Sequence, residues 1–238
     1  MCIRDRSDEV PVPITVDMQI DQGKYFSVQV NDVLSYQADM DLMNMFTEDA
    51  AKQLKIAIEN DVFFQYFVTE GAAAANKGTT AGAKSGAYNL GSDTAPINQA
   101  TPKNVLNTIL KMSAALDEQS VPEDGRWLIM SPQDRHLLMQ TDIAQAYFTG
   151  DAASTIRTGK VGMLDRFTVY VSNNLPSSGS VTSGLYGHPK AVAYASQMTN
   201  TETVRLESSF GDGVRGLAVY GYKVVLPTAI GEFKLKFA

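Results

Sequence analysis

From Asp41 to Val68 the chain contains neither glycine nor proline. Over that stretch Met43, Phe46, Ala50, Leu54, Ala57, Phe64 and Val68 recur at steps of three, four or seven residues. This places them on one stripe of an amphipathic helix. At 1.5 Å per residue such a helix runs about 42 Å, long for a globular domain. The sequence therefore predicts a core helix that also serves as a spine across the whole subunit, with Gly71 as its stop.

The period differs on either side. In 11–36, Ile14, Val16, Met18 and Ile20 alternate with Thr15, Asp17 and Gln19, and Phe26, Val28 and Val30 alternate with Ser27 and Gln29. Period-2 patterning around Asp21-Gln22-Gly23 predicts two strand segments with one apolar face, a face that must lie on something else. Residues 71–101 turn to Gly, Ala, Thr, Ser and Asn, and are expected to form a solvated loop between two lobes.

Thr101-Pro102 reads as a helix start, and Val105, Ile109, Met112 and Leu116 carry the apolar stripe that follows. A turn at 121–125 leads into a short buried strand at 126–130. Ser131-Pro132-Gln133-Asp134 opens another helix, capped by Ser131. Residues 141–163 read as a mobile loop. Strands are expected at 166–172, 190–196, 201–208, 215–226 and 230–237, with a Ser/Gly loop at 177–184. Helices and strands segregate along the chain, so the fold class is α+β.

Composition removes several functions. Hydrophobic residues make up 44 % and charged residues 19 %, and the net charge is −6. That balance argues against a groove that binds nucleic acid by releasing phosphate counterions. Cys2 is the one cysteine and His136 and His188 the two histidines, too few for a thiolate cluster or an imidazole-built metal centre. No apolar run reaches the roughly 18–20 residues that span a bilayer, and the first residues lack the apolar stretch of a secretory signal.

Three motifs invite a chemical reading and are better explained otherwise. Gly211-Asp212-Gly213-Val214-Arg215-Gly216 matches the dinucleotide fingerprint in letters. That fingerprint needs a helix after it, and Leu217-Ala218-Val219-Tyr220 reads as strand, so a glycine-rich turn between strands is expected. Ser131, Asp134 and His136 are hydrolase letters within six residues, but near neighbours on one helix do not converge as nucleophile, base and orienter. His188, before Pro189, reads as a loop histidine. The carboxylates read as a solvated acidic face. Lys103, Arg126, Arg135, Arg157, Lys160, Arg166, Arg205 and Arg215 are dispersed and form no basic run. No catalytic, cofactor-binding or metal-ligating residue is expected, and no enzyme activity.

The order of elements is more telling than any one motif. Val121-Pro122-Glu123-Asp124-Gly125-Arg126-Trp127-Leu128-Ile129-Met130-Ser131-Pro132 is similar to a turn, strand and helix start found in the major capsid proteins of tailed bacteriophages. Phe167-Thr168-Val169-Tyr170-Val171-Ser172-Asn173-Asn174-Leu175-Pro176, His188-Pro189-Lys190-Ala191-Val192-Ala193 and Tyr220-Gly221-Tyr222-Lys223-Val224-Val225-Leu226-Pro227 resemble further segments of that family, in its order. The chain thus resembles the Hong Kong 97-type capsid fold over roughly residues 14–238. Where members often have glycine before the aromatic residue, this chain has Arg166.

The resemblance implies the organisation. Residues 1–7, beginning MCIRDR, look like translated adaptor sequence and are expected to be a non-native leader, with an N-terminal arm and more of the extended loop lying upstream. Residues 8–36 are then part of that extended loop, and 37–101 a peripheral domain with the spine helix and Gly-rich loop. Residues 102–190 are an axial domain, and 191–238 the return strands of the peripheral domain.

The implied function is a major capsid protein forming hexamers and pentamers of an icosahedral head around double-stranded DNA. Its implied partners are other copies of itself, a scaffolding protein, a portal and non-specifically the packaged DNA, with no membrane. Its place is the virion, after assembly in the host bacterial cytoplasm. The rival of the same fold is an encapsulin-like nanocompartment, and a hydrolase is the remote alternative.

Overall fold

A computed structural model of the chain describes residues 15–38, 40–65, 71–98, 102–140, 162–207 and 210–236. The expectations for residues 1–14, Val68, the Thr101 cap, the loop over 141–161 and Phe237 lie outside them. Helices and strands segregate between two sheets, as the α+β reading requires.

The first sheet has three antiparallel strands in the order β1 (Gln22–Asn31), β9 (Gly211–Val224), β8 (Val192–Arg205). Along β1 the even positions from Gln22 to Val30 turn inward and the odd ones face solvent, the period-2 pattern expected of Phe26, Val28 and Val30. Three details differ from the sequence reading. Gly23 is no break but lies inside β1, opposite Val219, while residues 15–21 form no regular strand. Residues Asp32–Gln37 form a short helix, α1, because the Asn31 side chain accepts the Val33 N–H and caps it. The two strands expected at 190–196 and 201–208 are one strand, continuous through a bulge between Ser196 and Met198 that absorbs the extra residue.

The long helix exists as α2 (Leu42–Gln65). Its stripe is shallower than expected. Met43, Ala50, Leu54 and Ala57 are half-buried and Phe46 is exposed, while Phe63 is buried; the side chain of Phe64 lies outside those described. The helix lies over β1 and β9, and Phe46 of the stripe is left exposed.

The second sheet has seven strands and holds the main core. Its path runs β2 (Ile97–Asn98), β10 (Ile230–Lys236), β7 (Val181–Gly187), β3 (Arg126–Met130), β5 (Phe167–Val171), β4 (Met163–Leu164), with β6 (Ser177–Ser178) beside β7. Helix α3 (Pro102–Glu118) buries Val105, Ile109, Met112 and Leu116 against it, the stripe read from sequence. Phe167, Tyr186 and Phe233 meet at its centre, the first two edge to face with centroids 6.2 Å apart. Helix α4 (Pro132–Met139) joins β3 towards its parallel neighbour β5. The Ser/Gly loop expected at 177–184 is instead the tight hairpin of β6 and β7, turning at Gly179 with φ 61°.

The Gly-rich stretch is not a solvated loop. Asn76, Ala81 and Leu90 are wholly buried, Ala81 pairs with Tyr88, and the Leu90 carbonyl accepts the Lys234 N–H at 2.9 Å. Small residues let its backbone lie against β10: a side chain at Gly91, which has φ 83°, would stand 2.2 Å from the Lys234 carbonyl oxygen. Hydrogen bonding therefore ties 71–98 and β10 to the seven-stranded sheet, whereas β8 and β9 belong to the other.

Candidate functional site

The hydrolase letters resolve into a helix cap. The Ser131 Oγ–H donates to Asp134 Oδ2 at 2.8 Å, and the same oxygen accepts the Ser131 N–H at 3.2 Å. In return Ser131 Oγ accepts the Asp134 N–H at 3.2 Å. This is a reciprocal capping box at the start of α4. Burial raises the Asp134 carboxyl to about 6 against the pull of the Ser131 bonds, and its Oδ1 has no partner among the described residues. His136 points elsewhere, with Nε2 2.9 Å from the Gln140 side-chain nitrogen. Nucleophile, base and orienter are not brought together.

The G-x-G-x-x-G letters lie within β9, not in the turn expected there, and the strand runs on through Val224 with no helix opening on the motif. Their glycines make room for a neighbour: a side chain at Gly216 would stand 2.1 Å from the ring of Phe26 on β1. His188 lies in the loop read for it, as the cap of the turn Pro189–Ala191. It is buried, Nδ1 accepts the Lys190 N–H at 3.1 Å, and Nε2 lies 3.0 Å from the Asp124 carbonyl oxygen. Among the described residues no group of His, Cys, Asp and Glu could hold a metal ion, and no helix is long and apolar enough to cross a membrane.

What the structure does present is apolar surface on the three-stranded sheet and its helices. No residue of α1 is buried; Val33, Leu34 and Tyr36 are exposed, Tyr36 by 94 %. Phe210, 82 % exposed, lies next to them because its carbonyl accepts the Asp32 N–H at 3.0 Å. Met45, Phe46 and Ile56 are exposed on α2. On the face of the sheet, Tyr25, Ser27, Asn200, Glu202, Arg215 and Leu217 line a groove of about 610 Å³. Isolated apolar side chains on a surface are ordinary, but a run of this kind marks a contact surface. Sequence reasoning missed Tyr36 and Phe210. The available signal was that Asp32–Gln37 carries apolar residues with no matching stripe in the core.

Ionic and polar ties hold these surfaces in place. Arg205, at the end of β8, spans Asp32 at the start of α1 and Asp212 near the start of β9, and its hydrogen bonds to Asp32 lower that carboxyl. Tyr220 donates to Asp61 Oδ2 at 2.7 Å, fixing α2 on β9, and burial followed by this bond raises the phenol. Two residues earlier on α2, Glu59 accepts from Ser172 Oγ at 2.9 Å and from Asn174 Nδ2 at 2.7 Å. The helix is thereby tied to the segment that follows β5 in the other sheet.

The family described as phage capsid protein matches residues 13–234. Among curated proteins no sequence matches this chain. Among solved structures, a chain of Mycobacterium phage Che8 is 26 % identical with a TM-score of 0.74, the match covering 98 % of this chain and 76 % of that one. The capsid of cyanophage P-SCSP1u is 16 % identical with a TM-score of 0.68, covering 99 % and 81 %. The encapsulin SrpI of Synechococcus elongatus, in its holo complex, is 10 % identical with a TM-score of 0.54, covering 90 % and 73 %.

Proposed function

Because this chain belongs to the phage capsid protein family, we propose that its exposed apolar surfaces are the contacts by which copies close into hexamers and pentamers of an icosahedral head. The protein is a major capsid shell protein of the tailed-phage type, with the Hong Kong 97-type fold. Its work is self-association, and its place is the capsid of the virion. The observation that carries the proposal is α1. A helix without a single buried residue, bearing Val33, Leu34 and Tyr36 beside Phe210, has no reason to expose them unless something covers them.

In this reading the three-stranded sheet with α2 is the peripheral part of the subunit and the seven-stranded sheet the axial part, meeting its copies around the capsomer axes. Heterologous contacts of this kind close into rings when the rotation closes. Scaffolding protein and portal are the proposed assembly partners, the host cytoplasm the proposed site of assembly, and double-stranded DNA the proposed content. A net charge of −6 suits a wall past which packed DNA slides, since adhesion to phosphate needs positive contacts. No residue is assigned a catalytic role. Likeness to the encapsulin carries the fold and not the cargo.

Sedimentation velocity with negative-stain microscopy tests the proposal. Capsomers or closed particles are expected, alone or with the scaffolding protein of the same phage. A concentration-independent monomer under both conditions overturns it.

A further inference from the structure

Two of the chain's crossings between its sheets lie close together, one from β7 to β8 through a 3₁₀ turn at Pro189–Ala191 and one from β9 to β10 through a 3₁₀ turn at Pro227–Ala229. The crossings are bonded side by side. The His188 N–H donates to the Ala229 carbonyl at 2.9 Å, and the Val225 N–H to the Ala191 carbonyl at 2.7 Å. They form a neck between the sheets, and the His188 ring fastens that neck to the turn at 121–125.

The two ring contacts fix the protonation state. Nδ1 receives the Lys190 N–H, so it carries no proton, and Nε2 faces the Asp124 carbonyl, which can only accept, so it carries one. The ring is the neutral Nε2–H tautomer, with both nitrogens engaged and the residue buried. We propose that His188 is a proton-operated lock on the neck: neutral, it fastens the neck to the 121–125 turn; doubly protonated, it releases it.

A second proton on Nδ1 sets two N–H donors against each other, and the ring must turn away from Lys190. Turning also takes Nε2 from Asp124. The charged residues on the elements that meet the ring are Glu123 and Asp124 on the turn, Arg126 where β3 begins and Lys190 on the 3₁₀ turn, with Glu123 held by Arg166 at 3.2 Å; the 227–229 crossing has none. Histidine is the side chain whose charge ordinarily changes between pH 5 and 8, and the two contacts on the ring are what a second proton would break.

Hydrogen–deuterium exchange of the full chain at about pH 7.5 and about pH 5, corrected for intrinsic exchange, tests this. The segment 188–192 of the wild type is expected to lose protection about tenfold at the lower pH. His188→Asn keeps an acceptor where Nδ1 stands and has nothing to protonate, so its protection should not change with pH. Solid-state NMR of the labelled imidazole supplies a readout that needs no variant and should find the Nε2–H form at neutral pH. Unchanged wild-type protection, an equal loss in His188→Asn, or an Nδ1–H ring each overturns the lock.

Discussion

Arg126 Nη2 lies 2.6 Å from Asp117 Oδ1, with the guanidinium wholly buried and the carboxylate close to half exposed. The pair works less as an ion bridge than as one arm of a larger bracket. Arg126 Nε donates to the Pro122 carbonyl at 2.9 Å and Nη2 to the Val121 carbonyl at 2.7 Å, while Nη1 reaches the Ser113 carbonyl. The end of α3, the turn and the start of β3 are therefore held by one planar fork.

A lysine offers a point charge and no fork, so Arg126→Lys leaves buried carbonyls without donors. It should lower the unfolding free energy by about 2–4 kcal/mol. A urea melt reads this through the midpoint, and a shift worth less than about 0.5 kcal/mol would contradict the bracket.

Arg166 carries strain that glycine would not. Leu164 pairs with Phe167, so Asp165 and Arg166 form a two-residue hairpin turn, with φ of 44° and 68°. Both are left-handed, as a type I′ turn demands. Against a cost on the order of 1 kcal/mol for Arg166, its exposed bridges to Asp117 and Glu123 return little. Arg166→Gly should leave the melting temperature unchanged or higher, and Arg166→Val should lower it. The reverse order in calorimetry would show that the bridges outweigh the backbone.

Asp134 gives the protein an unusual acid response. Burial lifts its carboxyl from 3.8 to about 6 in the folded state. The folded form therefore holds the proton more tightly than the unfolded one between those values. The resulting stabilisation is full below about pH 3.8 and is lost as pH rises through 6, amounting to at most about 3 kcal/mol. Asp134→Asn should flatten stability over that window and leave the protein at pH 7 no less stable than wild type. Chemical melts from about pH 4 to 7 decide it: an unaltered pH profile in the variant rules the assignment out.

The exposed and buried sides of α2 and α1 should separate folding from assembly. Phe63→Ala should cost about 3–4 kcal/mol of subunit stability. Leu54→Asp should be mild in the subunit, since Leu54 is only half-buried, and Tyr36→Asp should change stability by less than about 0.5 kcal/mol while reducing particle yield. Circular dichroism melts beside particle counts test the split. Normal particles from Tyr36→Asp would remove α1 from the contact surface.

Elements whose pattern is set locally were legible in the sequence. The α3 stripe, the β3 strand and the Ser131–Asp134 cap follow from spacing and capping chemistry, and the structure places them as read. What depends on distant partners was not legible. Glycine at 71–91 looks like solvated loop until Lys234 and Leu90 are seen side by side, because close backbone approach leaves the same letters as flexibility. The letters of Gly211–Gly216 likewise say turn, and the ring of Phe26 from β1 explains them as strand. Phe46 shows the converse: it belongs to the apolar stripe and is nonetheless exposed in the subunit.

The pairing of Ile97 and Asn98 with Leu235 and Lys236 sets the timetable of synthesis. On a ribosome adding roughly 5–20 residues per second, residue 97 waits on the order of ten seconds for residue 235 to be made. Meanwhile β3 emerges and has neither β5 nor β7 beside it. The large sheet is thus a late event, completed only once β10 has left the exit tunnel. A nascent chain paused before β10 would expose the seat of Tyr186 and Phe233, and its sparing use of large apolar residues across 71–98 limits what neighbouring nascent chains can seize during that wait.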